Sequence, residues 1–307
     1  MTDPTAAPTA RSSAPTMPPR ARTTWIPRAV LYTVLSLGAA VMLVPFLWMI
    51  LTALKPASEL GKGTWLPHDV RWENFVDAFK AAPFDVYFRN SLIIAVAQTL
   101  ITVVLATAAG YALARTPIRG RTVIFGLTVA MIMVPVYVIL IPRFLIVRSI
   151  PFSGGNDWLG QGGIGWLDSW WALIVPGALA PLYVFLARQF YVDLPAELAD
   201  AARLDGLSEV GIWARVMTPL IKPAVITIAV FQFQSSWNDF LWPLLVTRTD
   251  EMRPIQLGLA VFSHADIEVQ WNFLMAGTAL ATLPMIALFL VAQRYFVEGM
   301  ASAGLKG

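Results

Sequence analysis

Charge is missing from long stretches of this chain. Residues 29–54, 90–114, 122–142, 169–187, 223–247 and 269–293 hold one Asp, Glu, Lys or Arg among them, the carboxylate of Asp239. Each stretch is 19 to 26 residues long. A bilayer core of ~30 Å takes about 20 residues of helix at a rise of 1.5 Å each, so each one can cross. Strands of a membrane barrel are short and alternate in polarity, which these continuous runs do not. Over all 307 residues, 13% are charged and 57% hydrophobic, about half the charge of a soluble domain. Too few polar groups remain to cover a soluble surface, so the expected fold class is an all-α polytopic membrane protein with six transmembrane helices.

Basic residues set the expected orientation. The short link at 115–121 holds Arg115, Arg119 and Arg121 and no acid, and short loops rich in Lys and Arg stay inside. With both termini cytoplasmic, 13 basic residues fall inside and 9 outside. The net charge of +3 is this bias rather than a nucleic-acid footprint. Residues 1–28 are rich in Pro, Ala, Thr and Ser without apolar periodicity, and are read as a disordered cytoplasmic tail. Residues 29–297 form the expected six-span domain, and 298–307 a cytoplasmic C-terminal tail. The localisation that follows is a membrane crossed several times, with both termini in the cytoplasm.

Other signals carry no chemistry. Gly160, Gly162 and Gly165 satisfy the dinucleotide spacing, but they lie in an external link between spans and not in the strand-to-helix turn that the fingerprint requires. Gly61, Lys62, Gly63 and Thr64 lack the phosphate-loop spacing. His68 and His264 are far apart with no second ligand nearby, so no metal site is expected. There is no cysteine, which excludes thiol catalysis. The chain is expected to be a non-catalytic subunit without a cofactor of its own.

Asp239 stands in polar company: Gln232, Gln234, Ser235, Ser236, Trp237 and Asn238 precede it. A carboxylate in a span costs several kcal/mol (about 2.5–3.5 on insertion scales) and tends to face an aqueous path or a partner. Gln232, Ser235, Trp237, Asn238 and Asp239 are therefore the expected substrate-pathway residues. The alternative is structural, with Asp239 capping a break in the helix before Pro243.

Residues 188–222 form the longest basic-sided link and hold nine charges. The sequence predicts a short helix, a turn at Gly206 and a second short helix capped by Ser208. Pro195 suits the first turn. Leu194, Leu198, Ala201 and Ala202 are expected to form an apolar stripe, surrounded by Glu197, Asp200 and Asp205. An interfacial helix lying on lipid is usually rich in Lys and Arg; this one is acidic. It reads as a knob built to dock into a partner.

At these residues the sequence resembles the permease subunits of ATP-binding cassette importers. Their cytoplasmic loop reads roughly E-A-A-x-x-x-D-G; here Asp200, Ala201 and Ala202 are followed by Asp205 and Gly206, with Ile212 and Pro219 beyond. Asp200 replaces the usual glutamate, and Thr218 stands where a leucine commonly precedes the proline. The downstream run from Ser236 to Leu244 resembles the carbohydrate-uptake, maltose-type branch. The resemblance implies a type I importer permease fold and localisation in a bacterial inner membrane. It also implies ATPase coupling through Glu197, Asp200, Ala201, Ala202, Asp205 and Gly206. The implied partners are a second related permease, two ATPase subunits that bind ATP and Mg, an extracytoplasmic binding protein or lipoprotein, and membrane lipid. The implied cargo is a sugar or oligosaccharide, with glycerol-phosphate-type solutes, or a secondary transporter, as the alternatives.

Overall fold

The computed structural model describes residues 28–262 and 270–304, with 295–304 as backbone alone. Of the tail expected at 1–28, residues 1–27 lie outside the described residues, as does His264, and Arg28 opens the first helix. All regular elements among the described residues are helical: α1 (Arg28–Ala53), α2 (Glu73–Ala81), α3 (Phe84–Arg115), α4 (Arg121–Met133), α5 (Val136–Arg148), α6 (Trp170–Ile174) and α7 (Pro181–Val192) come first. They are followed by α8 (Glu197–Leu204), α9 (Glu209–Gly211), α10 (Thr218–Leu220), α11 (Lys222–Trp237), α12 (Leu241–Val246), α13 (Ile255–Val261) and α14 (Trp271–Gly304). The last helix continues past residue 298, where a tail was expected to begin.

The chain divides into two compact units after Phe46. In the first, the described residues are the greater part of α1, apolar throughout and carrying Pro45 inside the helix. In the second, α3 is the central mast and packs against α7 and α11.

Four helical segments are long and apolar enough to cross a membrane: Arg28–Ala53, Phe84–Arg115, Trp170–Val192 and Trp271–Arg294. Two bent pairs bring the number to six where each pair is counted as one span. One joins α4 and α5 at 105°, the other joins Glu209–Leu220 to α11 at 87°. The first bend falls at Pro135, whose missing N–H and fixed φ break the ladder. Because α5 runs to Arg148, Arg143 lies inside the third span. The sequence reading ended that span at Pro142 and so counted Asp239 as the only ionisable group in the bundle.

The fourth span is interrupted by Pro176, Gly177 and Pro181, and the freed carbonyls need partners where water is absent. They find them in side chains of neighbouring helices. Gln98 donates to the Leu173 carbonyl at 2.7 Å, and Thr102 to that of Ala178 at 2.9 Å. Gln232 donates to Gly177 at 3.2 Å, and the Trp242 indole to Ala172 at 2.8 Å. At the end of the bundle away from 188–222, Asp168 sits at φ +57°. Its carboxylate accepts from the amides of Arg248 (2.8 Å) and Thr249 (3.1 Å) and from the Thr249 hydroxyl (2.9 Å).

Candidate functional site

Residues 188–222 fold as the expected knob. The chain leaves α7 at Asp193, passes Pro195 and enters α8 two residues later, so Pro195 precedes the helix cap rather than occupying its first turn. Gly206 ends α8 in the left-handed region at φ +82°. The Leu207 amide returns to the Ala202 carbonyl (3.1 Å) and the Gly206 amide to that of Arg203 (3.0 Å), a Schellman closure that satisfies the last carbonyls. Ser208 then caps the next helix, its hydroxyl accepting from the Gly211 amide at 3.3 Å. Within Glu209–Leu220, residues 212–217 are wound as a π-helix. Pro219 cannot donate to the ladder, and the wider winding just before it accommodates the loss.

The faces of α8 differ from the expected stripe. Ala199 (2% exposed) and Ala202 (5%) are the inward pair, packed with Tyr111, Tyr191, Ile212 and Met217. Leu198 and Ala201 instead face outward with Glu197, Asp200 and Asp205. The sequence reading grouped Ala202 with the outward residues; its neighbours place it on the supporting side. It also missed Leu204, which is 90% exposed at the end of α8. Leu204 continues the spacing of Leu198 and Ala201 but stands between the charged Arg203 and Asp205.

Arg203 orders the acidic surface. It donates to Asp200 and to Glu209, each at 2.7 Å, and Glu209 also accepts from the Tyr111 hydroxyl at 2.7 Å. The Arg203 guanidinium holds the Glu209 carboxyl below the usual range, against the opposing effect of burial. The Glu209 contact in turn pushes Arg203 further up. Exposed ion pairs of this kind add only about 0–1 kcal/mol. Their main effect is to fix the direction in which the knob points.

The five residues expected on a substrate pathway do not share one surface. Gln232 is 3% exposed and Trp237 1%. Gln232 completes the polar relay of the broken fourth span. Trp237 donates to the Ala281 carbonyl at 3.0 Å and stacks on Phe233 at 5.8 Å. Both are internal packing residues because a helix carrying polar groups on several sides still turns one side to its neighbours. Ser235 and Asn238, with Gln234, do line a concavity, closed on its other sides by Leu182, Tyr183, Phe185, Leu186 and Phe231. Asp239 makes the kind of contact its structural alternative requires: its Oδ1 accepts from the Trp242 amide in the first turn of α12 at 3.3 Å, one residue ahead of the N-cap Phe240. It lies within electrostatic reach of Arg143, whose guanidinium covers the Trp242 ring at 4.1 Å.

Comparison with known proteins agrees with this architecture. Residues 103–302 match the family model described as the binding-protein-dependent transport system inner membrane component. The chain is 35% identical over 272 residues to the arabinooligosaccharides transport system permease protein of Bacillus subtilis, covering 86% of this chain and 91% of the relative. It is 30% identical over 275 residues to the lactose transport system permease protein of Rhizobium radiobacter, covering 90% and 95%. A chain of a bacterial ABC transporter involved in import of the acidic polysaccharide alginate superposes with a TM-score of 0.76 at 22% identity, over 91% of this chain and 100% of that one. A chain from the alginate transporter in complex with a pentasaccharide-bound periplasmic protein superposes at 0.60 and 13% identity, over 86% and 93%. The likeness extends over nearly the whole bundle as well as the knob. The chain belongs to the family of inner-membrane components of binding-protein-dependent transport systems, and is a permease subunit of an ATP-binding cassette importer.

Proposed function

We propose that this permease forms half of the transmembrane pathway for a sugar or oligosaccharide and is driven by cytoplasmic ATPases that dock on residues 188–222. The observation that carries the coupling role is the outward face of α8. There Leu204 stands almost free of its own chain, beside Leu198, Ala201, Glu197, Asp200 and Asp205. An apolar tip within an acidic rim suits a groove that is apolar at its centre and basic at its edge. Gly206 sets the angle of that face, and Ala199 and Ala202 seat it on the bundle. The ATPases, which bind ATP and Mg, supply the hydrolysis; this chain transmits the movement.

The pathway wall that fits this role is the concavity between α7 and α11. Gln234, Ser235 and Asn238 offer donors and acceptors, and Tyr183, Phe185 and Phe231 offer aromatic faces, the pairing that sugars accept. Its described lining holds no cation to meet a phosphate, which favours a sugar over a glycerol-phosphate-type solute. The open side would be closed by the second, related permease. An extracytoplasmic binding protein or lipoprotein delivers the solute, in keeping with the sugar-transport names of the relatives. The orientation that suits this has the knob and both termini in the cytoplasm.

The deciding experiment is purification of the chain from native membranes. A co-purifying ATPase whose hydrolysis rises with a binding protein and one particular sugar supports the reading. Purification without any ATPase sinks it.

A further inference from the structure

The knob is threaded between α7 and α11, yet its polar contacts run to a different helix. Glu209 accepts from the hydroxyl of Tyr111 on α3 at 2.7 Å, and through Arg203 this contact continues to Asp200 on the outward side. One turn further along α3, Arg115 grips the chain where α7 gives way to the knob. It donates to the Tyr191 carbonyl at 3.0 and 2.6 Å and also to the carbonyl of Leu194. Tyr191 closes the circuit: its ring meets Tyr111 edge-on at 5.6 Å, and its hydroxyl shares a hydrogen bond of 2.7 Å with Thr218 near the far end of the knob. Tyr111 and Arg115 are four residues apart and so lie on one face of α3. Just beside them, a Cβ on Gly110 would stand 2.8 Å from both the Ala187 Cβ and the Arg188 nitrogen. The two helices are in backbone contact there.

We propose that Tyr111 and Arg115 are positioning residues that carry the movement of the knob into α3, so that the second span moves with the knob as the fourth and fifth do. This rests on the knob being an ATPase dock. The chain entering the knob is short, and at the Gly206 turn nothing lies within 4 Å of the Cβ position, Leu207 being the residue of the turn that reaches the buried cluster. A body held only by its two chain ends swivels. Directional bonds to a third helix, at the entry (Leu194) and at the second arm (Glu209), remove that freedom. Apolar packing by Ala199 and Ala202 adds cohesion without direction.

The test uses the assembled importer, co-expressed with its permease and ATPase partners and placed in proteoliposomes. Tyr111→Phe keeps the ring against Tyr191 and removes only the bond to Glu209. It is expected to retain the ATPases and their basal hydrolysis, while uptake and its stimulation by loaded binding protein fall about tenfold, the scale of one lost charge-assisted hydrogen bond. Arg203→Glu is expected to lose uptake as well, and Arg203→Glu with Glu209→Arg to regain at least half of it. Wild-type uptake by Tyr111→Phe, or no recovery in the reversed pair, overturns the proposal. Release of the ATPases by Tyr111→Phe also overturns it, by making the tyrosine part of the dock. If the wild-type complex itself holds no ATPase, the docking role fails first and this proposal falls with it.

Discussion

The Nε2 of Gln232 lies 3.0 Å from the Oε1 of Gln98, and this contact between α11 and α3 is the centre of a relay that ends on carbonyls of the broken fourth span. Three spans are thereby joined through one pair of amides. Gln232→Leu and Gln98→Leu are each expected to lower the thermal stability of the purified complex by about 0.6–1.7 kcal/mol, the measured range for hydrogen bonds between helices in membranes. The double variant should cost less than the sum, because the two share a bond. A Gln232→Leu protein with unchanged melting and a changed sugar preference would restore that residue to the pathway.

Gly206 separates conformation from contact. Nothing lies within 4 Å of a Cβ there, but the backbone is left-handed at φ +82°. Gly206→Val places a β-branched residue in a region that costs roughly 1–2 kcal/mol even for ordinary side chains. Uptake is expected to vanish while the subunit still inserts, and Gly206→Asn, which tolerates that region, should keep most of it. Uptake assays beside membrane-fraction blots distinguish these outcomes.

Leu204→Asp changes a side chain that is 90% exposed and touches little of its own chain. Folding yield should be unaffected, and retention of the ATPase on purification should drop by about an order of magnitude, as for an apolar anchor worth ~1–2 kcal/mol. Equal retention would move the dock elsewhere on the knob.

Asp239 can be tested as a cap. Asp239→Asn keeps an oxygen for the Trp242 amide, whereas Asp239→Leu removes it at a typical cost of about 1 kcal/mol and takes a negative charge from within electrostatic reach of Arg143. Transport by the leucine variant should fall with ATPase association intact, and the asparagine variant should lie between it and wild type. Loss of assembly alone in Asp239→Leu would assign it a purely structural role.

Asp168 predicts a dependence on pH. Burial acts to raise its carboxyl, but the amides of Arg248 and Thr249 and the Thr249 hydroxyl outweigh this and hold it below the usual range. A group depressed in the folded state contributes fully above its ordinary pKa of about 3.9 and loses that contribution as pH falls through the lower folded value. The tie to the segment after α12 should therefore weaken only below about pH 4. Asp168→Asn should be less stable at neutral pH and lose this acid-dependent component. Parallel melting curves of the two proteins from neutral to acid pH would show that the tie contributes nothing.

The six spans were legible because lipid excludes charge wherever a helix meets it, whatever the packing. The Gly206 turn and the Ser208 cap were legible because each satisfies backbone groups within a few residues. Orientation about the helix axis was not. On α11, polarity surrounds the helix, so the sequence could not tell that Gln232 and Trp237 face neighbours while Ser235 and Asn238 face open space. On α8 the apolar periodicity is too short to choose between Ala199 and Ala201 as the inward residue. The kink at Pro135 hid Arg143, because a bent span holds more residues than a straight one of the same thickness.

The division of α8 into an inward pair of alanines and an outward set at 197, 198, 201 and 204 has a consequence for exchange between systems. The surface that would choose an ATPase is confined to these positions with Asp200 and Asp205, on and just after one eight-residue helix, and none of their side chains is buried. If ATPases dock there, rewriting these six positions is expected to redirect a permease of this kind to a foreign motor, with its route for solute left as it was.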